Sequence, residues 1–421
     1  MQARQTKTPW PCQRPLVAAL AALASCGAWA DEPTPWYVGA SQTLTHDSNV
    51  YRLPNGAGDT YSSTGLLGGF DQSIGRQHFA ATANLKYNKY NEQTTLNNTS
   101  YGLNAGWDWT SIENLSGSLN LAANQNLATF DGNATIPTSG RNILKTEAIA
   151  ANVRWGGTGV LSLQTDYAHN RVHYTAPEYL SAQSSADSGS LGAYYNVGPT
   201  LKLGTAVRLT RTVSPYGFQS SPGVYESTSS NGRNLDLSAD WRYSPQTGVS
   251  ARLSWTRQSN SGSSGQDFSG ITGALSANYA PTAKLSFNAG FNRDTGTNAS
   301  LFNIGGGAGT TPVPAQYQNS TISNSLSLGA AYAATAKISV NTGYMYRHSR
   351  NASTLSAGGG SANVGDYTDN VRSASLGVNY AIARAWQLSC NLSHETRSTT
   401  SASSFGYSAN VAGCTATLTL R

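Results

Sequence analysis

The sequence is poor in charged residues and in long apolar runs. Charged side chains make up 11% of its 421 residues, whereas a soluble protein usually carries about 25%. No segment except the N-terminal one approaches the roughly 18 to 20 consecutive apolar residues that a membrane-spanning helix needs. With a hydrophobic content of 38%, this composition argues against both an ordinary soluble fold and a helical membrane protein.

Motifs that carry catalysis or cofactor binding are also missing. The sequence has no G-x-S-x-G nucleophile motif, no cluster of metal ligands and no phosphate-binding glycine loop. His169 and His173 are four residues apart, but two ligands do not make a metal site, and we expect ordinary rim residues. We therefore expect no cofactor, no metal and no enzyme, although a serine–histidine pair on a barrel wall stays an alternative.

The net charge is mild. It is +6 for the whole chain, and the loss of Arg4, Lys7 and Arg14 with an N-terminal signal would lower it to +3. A nucleic-acid-binding protein usually shows a clustered basic patch. We therefore expect no nucleic-acid partner.

What the sequence does contain is a succession of segments that alternate between apolar and small polar residues. In the stretch 326–346, Leu326, Leu328 and Tyr332 share one face, and Ile338 and Val340 continue it after a short turn. A period of two predicts β-strands with one apolar and one polar face. The second face is uniformly small and polar, which predicts the lining of a water-filled lumen.

The hairpin unit recurs along the whole chain. Short turns, such as Gly75–Arg76, alternate with polar loops, of which the longest are 131–141, 217–232, 298–319 and 351–367. Short turns on one side and long loops on the other are typical of an outer-membrane barrel. We predict an all-β fold, a transmembrane antiparallel up-and-down barrel of about 18 strands, with 16 as the alternative. Both chain ends then face the periplasm.

The N-terminal segment 1–30 has the features of a secretory signal peptide. A basic start precedes the apolar core Pro15–Ser25, and Ala28-Trp29-Ala30 offers a cleavage site. Cleavage there leaves 31–421 as the barrel, in the outer membrane of a Gram-negative bacterium. The alternative is a lipobox at 23–26, which would leave a lipidated Cys26. A membrane anchor is less favoured because the apolar core is too short.

Aromatic residues precede many of the short turns. Amphipathic aromatic rings favour the headgroup level of a membrane. We expect a periplasmic-side belt formed by Trp155, Tyr195, Tyr243, Tyr279, Tyr332 and Tyr380.

Two cysteines remain outside the N-terminal segment. Cys390 and Cys414 lie on the last two predicted strands and share parity with outward residues. Antiparallel partners on one face are close enough to bond, and the periplasm is oxidising. We favour a disulfide, with two unpaired thiols as the alternative.

Basic residues occur on the small polar parity. They are Lys86, Arg154, Lys202, Arg208, Arg242, Arg252 and Arg347, and the acids Asp166, Asp236 and Asp240 share that parity. A basic excess would guide an anionic solute through the pore. Equally, these residues could be paired charges that brace the wall.

Short motifs resemble the EpsL-type outer-membrane proteins of exopolysaccharide gene clusters. They are Tyr37-Val38-Gly39-Ala40, the stretch 46–53 (HDSNVYRL), Gly75-Arg76-Gln77, the aromatics Tyr87, Tyr90, Tyr101, Trp107 and Trp109, and the ending 414–421 (CTATLTLR). Unlike most such barrels, the chain ends in Arg421 rather than an aromatic residue. The resemblance implies a part in exporting or assembling a surface polysaccharide.

On this basis we expect a passive conduit for an exopolysaccharide chain. Its partners would be outer-membrane lipid, the polymer, and periplasmic export proteins of the same pathway. The first alternative is a general or solute-specific porin, which a long loop folded into the lumen, such as 298–319, would favour. The second is a barrel-wall hydrolase or lipid-modifying enzyme, which would need a serine, a histidine and a carboxylate together on one face.

Overall fold

The computed structural model describes residues 34–112, 114–130, 140–156, 159–221, 224–261, 267–304, 313–357, 360–401 and 404–421. The predicted signal peptide 1–30 and the alternative lipidation at Cys26 lie outside these residues. Within these ranges, no helix is both long enough and apolar enough to cross a membrane.

Eighteen antiparallel strands form one sheet. The first nine are β1 (Trp36–Asp47), β2 (Asp59–Ile74), β3 (Gln77–Tyr90), β4 (Asn98–Thr110), β5 (Leu115–Leu127), β6 (Ile143–Trp155), β7 (Leu161–Tyr174), β8 (Ser184–Asn196) and β9 (Leu201–Ser221). The others are β10 (Val224–Ser244), β11 (Thr247–Asn260), β12 (Phe268–Thr282), β13 (Leu285–Ile304), β14 (Val313–Ala333), β15 (Ile338–Ala357), β16 (Gly360–Ala381), β17 (Trp386–Thr399) and β18 (Tyr407–Leu420).

The sheet closes on itself. Every strand pairs with its neighbours in chain order, and β1 also pairs with β18, from Val38 opposite Leu420 to Asp47 opposite Val411. Closure leaves no strand with an unpaired edge, which is what a sheet needs in a hydrocarbon environment. The predicted up-and-down barrel of 18 strands is therefore confirmed.

The two ends of the barrel differ in their connections. At one end, here called the short-turn end, two residues join β2 to β3, and Gly75 takes a positive φ of 60° that suits a glycine. The other end, the long-loop end, carries the longer connections and two 3-10 helices, Thr94–Leu96 and Pro177–Ala182.

Three of the four segments predicted as long loops are largely strand. The loop predicted over 217–232 shrinks because β9 continues to Ser221 and β10 begins at Val224. The predicted loops 298–319 and 351–367 are shortened in the same way by β13 to β16. Segments rich in glycine, serine and asparagine are usually predicted as loops. Two strands of a hairpin can nevertheless pair through their backbone hydrogen bonds, whatever their side chains.

The hairpin of β13 and β14 is raised at the long-loop end together with β15 and β16, and β14 pairs with β15 as far as Ala315 opposite Ala357. Residues 298–304 pair in register with 313–319, so they extend this hairpin rather than form a loop folded into the lumen. Both strands also contact β9, and β13 contacts the 3-10 helix Pro177–Ala182, although neither is a sheet neighbour. The raised hairpin therefore leans over the long-loop end.

A small hydrophobic cluster sits at the same end, between the β1–β2, β3–β4 and β5–β6 connections. It contains Val50, Tyr90, Leu96 and Phe130, and Leu96 is fully buried. Beside it the buried Asp59 carboxylate accepts backbone N–H groups of Thr60, Glu92 and Gln93 at 2.6 to 3.2 Å. These contacts order the connections without a conventional core.

The β1–β2 connection also binds across the closing seam. Arg52 Nη1 donates to both carboxylate oxygens of Asp47 at 2.9 Å, and Arg52 Nε lies 3.7 Å from Glu395 of β17. Asn49 Nδ2 donates to the carbonyl oxygen of Ser408 at 3.0 Å. We call Asp47, Asn49, Arg52 and Glu395 the seam clasp, because they tie the first connection to the last two strands.

Candidate functional site: the barrel lumen

The two faces of the wall are assigned by register, since residues directly opposite on neighbouring strands share a face. Leu235 lies opposite Val207 and Trp255, and all three are about half or more exposed. One residue away, Asp236 lies opposite Ala206 and Ser254, and both Asp236 and Ser254 are buried. The exposed apolar face is the outer, lipid-facing surface, and the polar face lines the lumen.

The structure places six of the seven predicted lumen bases on the inner face by their register partners. These are Lys86, Arg154, Lys202, Arg208, Arg252 and Arg347. Arg242 follows Trp241, where the β10–β11 register shifts, and lies exposed at the short-turn end.

On β6 to β11, bases and acids of the inner face are interleaved. Arg208 Nε and Nη2 donate to the two carboxylate oxygens of Asp236 at 2.8 and 3.2 Å. A bidentate pair of this kind fixes both side chains. The Asp236 side chain is only 9% exposed, so the pair belongs to the wall more than to the open lumen.

A second network lies on β6 to β8. Arg154 donates to Gln164 Oε1 at 2.7 and 3.1 Å, and Gln164 Nε2 donates to Asp166 Oδ1 at 2.8 Å. The Asp166 carboxylate also accepts from Asn152 at 2.6 Å and from Ser190 at 2.9 Å. Arg154 and Asp166 therefore brace the wall rather than project freely into the lumen.

The other basic residues of the inner face are less engaged with neighbouring side chains. The Lys202 ammonium lies 4.2 Å from the centre of the Tyr194 ring. Lys202 itself lies opposite Asp240 on the neighbouring strand. Within the described part of the chain, Lys86, Arg252 and Arg347 form no direct ion pair. Arg347 is also exposed, so it is the clearest base available to a passing solute.

Acids that the sequence analysis did not single out also occupy the inner face. Register places Asp71, Asp108, Asp294, Asp369 and Glu395 there. The same parity rule applied to every strand would have found them. The expected basic excess therefore does not hold for the part of the wall that the structure describes.

Near the closing seam, one sector of the inner face has an uncharged lining. A cavity of about 410 Å³ is lined by inner asparagine, serine, threonine and glycine residues of β1 and β15 to β18. Gly377 lies opposite Asn341 and Asn391, and a Cβ there would approach Asn341 Oδ1 to 2.6 Å. The amide can lie against the wall because glycine leaves the space. This sector offers amide and hydroxyl groups to a solute but little charge.

The predicted aromatic belt residues lie on the outer face near the short-turn end. Trp155, Tyr195, Tyr243, Tyr279, Tyr332 and Tyr380 are between 39% and 67% exposed. Trp241 packs edge-on against Tyr243 at 5.2 Å and was not among the predicted set.

Cys390 and Cys414 lie directly opposite each other on β17 and β18 and are joined by a disulfide, with Cα atoms 4.1 Å apart. Their register places them on the outer face with Leu388 and Leu392.

The paired histidines are outer-face residues. His169 bonds to Asp187 and His173 to Gln183, each at 2.8 Å. No group of three histidine, cysteine or acidic side chains in the described ranges could hold a metal ion.

Comparisons with known proteins bear on this barrel. A family model described as "Putative outer membrane beta-barrel porin, MtrB/PioB" matches residues 266–418. No curated protein matches the sequence.

Several solved structures also match this chain, with TM-scores below 0.5. OccK3 (OpdO) of Pseudomonas aeruginosa is 14% identical with a TM-score of 0.42, and the match covers 91% of this chain and 95% of that one. The FrpB iron transporter of Neisseria meningitidis is 9% identical with a TM-score of 0.42, covering 93% and 82%. The siderophore receptor PirA of Acinetobacter baumannii is 7% identical with a TM-score of 0.42, covering 93% and 81%.

The expected EpsL-type family is wrong, because the family model that matches is the porin one. The stretch 46–53, which carried much of that resemblance, supplies three residues of the seam clasp. This stretch therefore contributes to closing the barrel. The chain is an outer-membrane β-barrel, located in the outer membrane of a Gram-negative bacterium.

Proposed function

We propose that the chain is a passive porin, general or solute-specific, for small hydrophilic solutes. The observation that carries this proposal is the polar inner face of a closed barrel, continuous from strand to strand. The partial match to a family described as an outer-membrane porin supports it. Enzymatic activity is not part of the proposal.

The lining is suited to weak, exchangeable contacts. The uncharged lining of the cavity of about 410 Å³, on β1 and β15 to β18, presents amides and hydroxyls. Such groups replace part of a solute's hydration without holding it tightly, which is the condition for conduction. On the opposite sector, Arg208 with Asp236 and Arg154 with Asp166 are engaged within the wall. We therefore assign only modest charge selectivity to the pore.

The bases that can act on a passing ion are those without a wall partner. Arg252 and Arg347 lie on the inner face of β11 and β15, and neither forms an ion pair in the described ranges. Arg208 is a poor choice for a charge reversal because it would leave the buried Asp236 beside a second carboxylate. The test variant is therefore Arg252→Glu/Arg347→Glu.

The test is conductance and ion selectivity in planar lipid bilayers. We expect wild-type protein to form open channels, and Arg252→Glu/Arg347→Glu to shift the preference towards cations by about twofold or more. The matched control is Arg350→Glu/Arg372→Glu, which makes the same charge change on the outer face of β15 and β16. It should leave selectivity unchanged.

Two results would count against the proposal. Folded wild-type protein that forms no channels would indicate a closed barrel with another role. Channels in which both variants behave alike would show that the inner bases do not face the permeation path.

A further inference from the structure

Arginines gather on the outer face of the barrel near the long-loop end. Register places seven arginines on this face: Arg171, Arg211, Arg233, Arg257, Arg293, Arg350 and Arg372. At the short-turn end the outward positions of the same strands are apolar or aromatic: Leu163, Leu203, Trp241, Val249, Phe287, Ile338 and Tyr380. The outward positions of these strands therefore differ in charge between the two ends.

The densest part of this basic surface is on β9 to β11. Arg233 and Arg257 lie directly opposite each other, and Arg211 lies opposite Asn231, two residues from Arg233. All three side chains are exposed. We call them the outer arginine triad. Like charges directly opposite on a sheet destabilise it, so an anion bound between them would offset the repulsion.

The nearby carboxylates are also engaged by other groups. Asp187 lies opposite Arg211, but its Oδ1 accepts from Tyr167 Oη at 2.8 Å and lies 2.8 Å from His169 Nδ1. Asp267 Oδ1 accepts the backbone N–H of Asn260 at 3.0 Å. Neither Arg233 nor Arg257 forms an ion pair within the residues that the structure describes. An anion from outside the chain would therefore meet Arg233 and Arg257 without an ion-pair partner among the described residues.

The surface beneath the triad indicates what kind of anion fits. Leu209, Leu235 and Trp255 are the next outward residues towards the membrane centre, with exposures of 57%, 48% and 69%. An anion bound by the triad would therefore sit directly above an apolar, lipid-covered surface. Arginine pairs with phosphate through two parallel hydrogen bonds.

We propose that the outer arginine triad binds the phosphate groups of a phosphorylated lipid in the membrane leaflet at the long-loop end. The arginines hold the headgroup, and Leu209, Leu235 and Trp255 contact its acyl chains. Basic residues at a membrane interface attract anionic headgroups by such contacts. This lipid site is on the opposite face of the wall from the lumen, so it stands independently of the porin proposal.

The test is lipid binding to the full-length folded barrel in detergent, by native mass spectrometry and equilibrium titration. The probes are lipid A with its phosphates and the same lipid after enzymatic dephosphorylation. We expect wild-type protein to bind the phosphorylated form more tightly by about tenfold to 100-fold. Arg211→Gln/Arg233→Gln/Arg257→Gln should lose most of that preference.

The matched control removes three positive charges from the short turns: Lys284→Gln/Lys337→Gln/Arg384→Gln. It should bind both lipids as wild type does. Equal binding of the two lipids by wild type would overturn the proposal, as would a triple variant that keeps the preference. Inorganic phosphate that displaces the lipid at an equal concentration would also overturn it, because the site would then bind a free anion. If the triple variant does not fold, the two wild-type lipid titrations and Arg233→Gln decide the matter.

Discussion

At the scale of single residues, the inner face separates charges that brace the wall from charges that face the solute. Arg208 and Asp236 form a bidentate pair with the carboxylate almost buried, whereas Asp240, four residues further along β10 on the same face, is exposed. Removing one partner of a buried pair leaves an uncompensated charge, which costs more than the pair contributes. Residues of one type on one strand therefore have different roles.

The pair can be tested by Asp236→Asn. We expect it to lower the free energy of unfolding by about 2 to 3 kcal/mol, because Arg208 keeps its charge in a partly buried place. Urea unfolding in lipid vesicles, followed by tryptophan fluorescence, measures the change. Asp240→Asn is the matched control and should have little effect. Equal losses in the two variants would show that the pair has no special part in stability.

At the scale of elements, side-chain contacts stabilise the closing seam between β1 and β18 in addition to its backbone hydrogen bonds. The seam clasp joins the β1–β2 connection to β17 and β18 through Arg52, Asn49 and Glu395. Arg52 itself takes a positive φ of 54°, uncommon for a residue with a side chain. Its contacts with Asp47, whose side chain is 13% exposed, offset that strain.

The clasp predicts a local effect of Arg52→Ala. We expect a loss of about 2 to 3 kcal/mol in unfolding free energy, because Asp47 loses its partner in a mostly buried site. Hydrogen exchange should also rise at 48–53 and at the start of β18 more than elsewhere. The exposed Arg350→Ala serves as the control. Uniform exchange along the chain in Arg52→Ala would contradict a role at the seam.

At the scale of the whole molecule, charge is distributed by face. The inner face mixes bases and acids, and the outer face carries its arginines near one end only. A lumen with mixed charge has a weak net field, and salt has little to screen. The arginines of the outer face are separated from the lumen by the wall.

This distribution predicts a weak dependence of selectivity on salt. We expect the anion-to-cation permeability ratio of wild-type channels to stay within about twofold of unity between 0.1 and 1 M potassium chloride. Reversal potentials under asymmetric salt measure the ratio. A strong anion preference that appears only at low salt would mean that the free bases dominate the lumen after all.

The alternation of side chains is a local property, and the sequence by itself therefore predicted the fold well. Leu326 and Ser325 already show which face meets lipid and which meets water, and Gly75–Arg76 marks a turn without any knowledge of the partner strands. From this the barrel, its 18 strands and the inner face of Arg208 followed. Family membership did not follow, because short stretches such as 46–53 can be shared by barrels with different roles.

The tertiary structure decided what depends on register and closure. Whether Arg208 has an acid beside it depends on which residue of β10 lies opposite, and Arg52 meets Glu395 only because β18 returns to β1. The segments 298–304 and 313–319 were predicted as parts of a loop, yet they pair with each other as strands. Backbone pairing and cross-strand contacts join residues far apart in sequence, so only the closed barrel determines them.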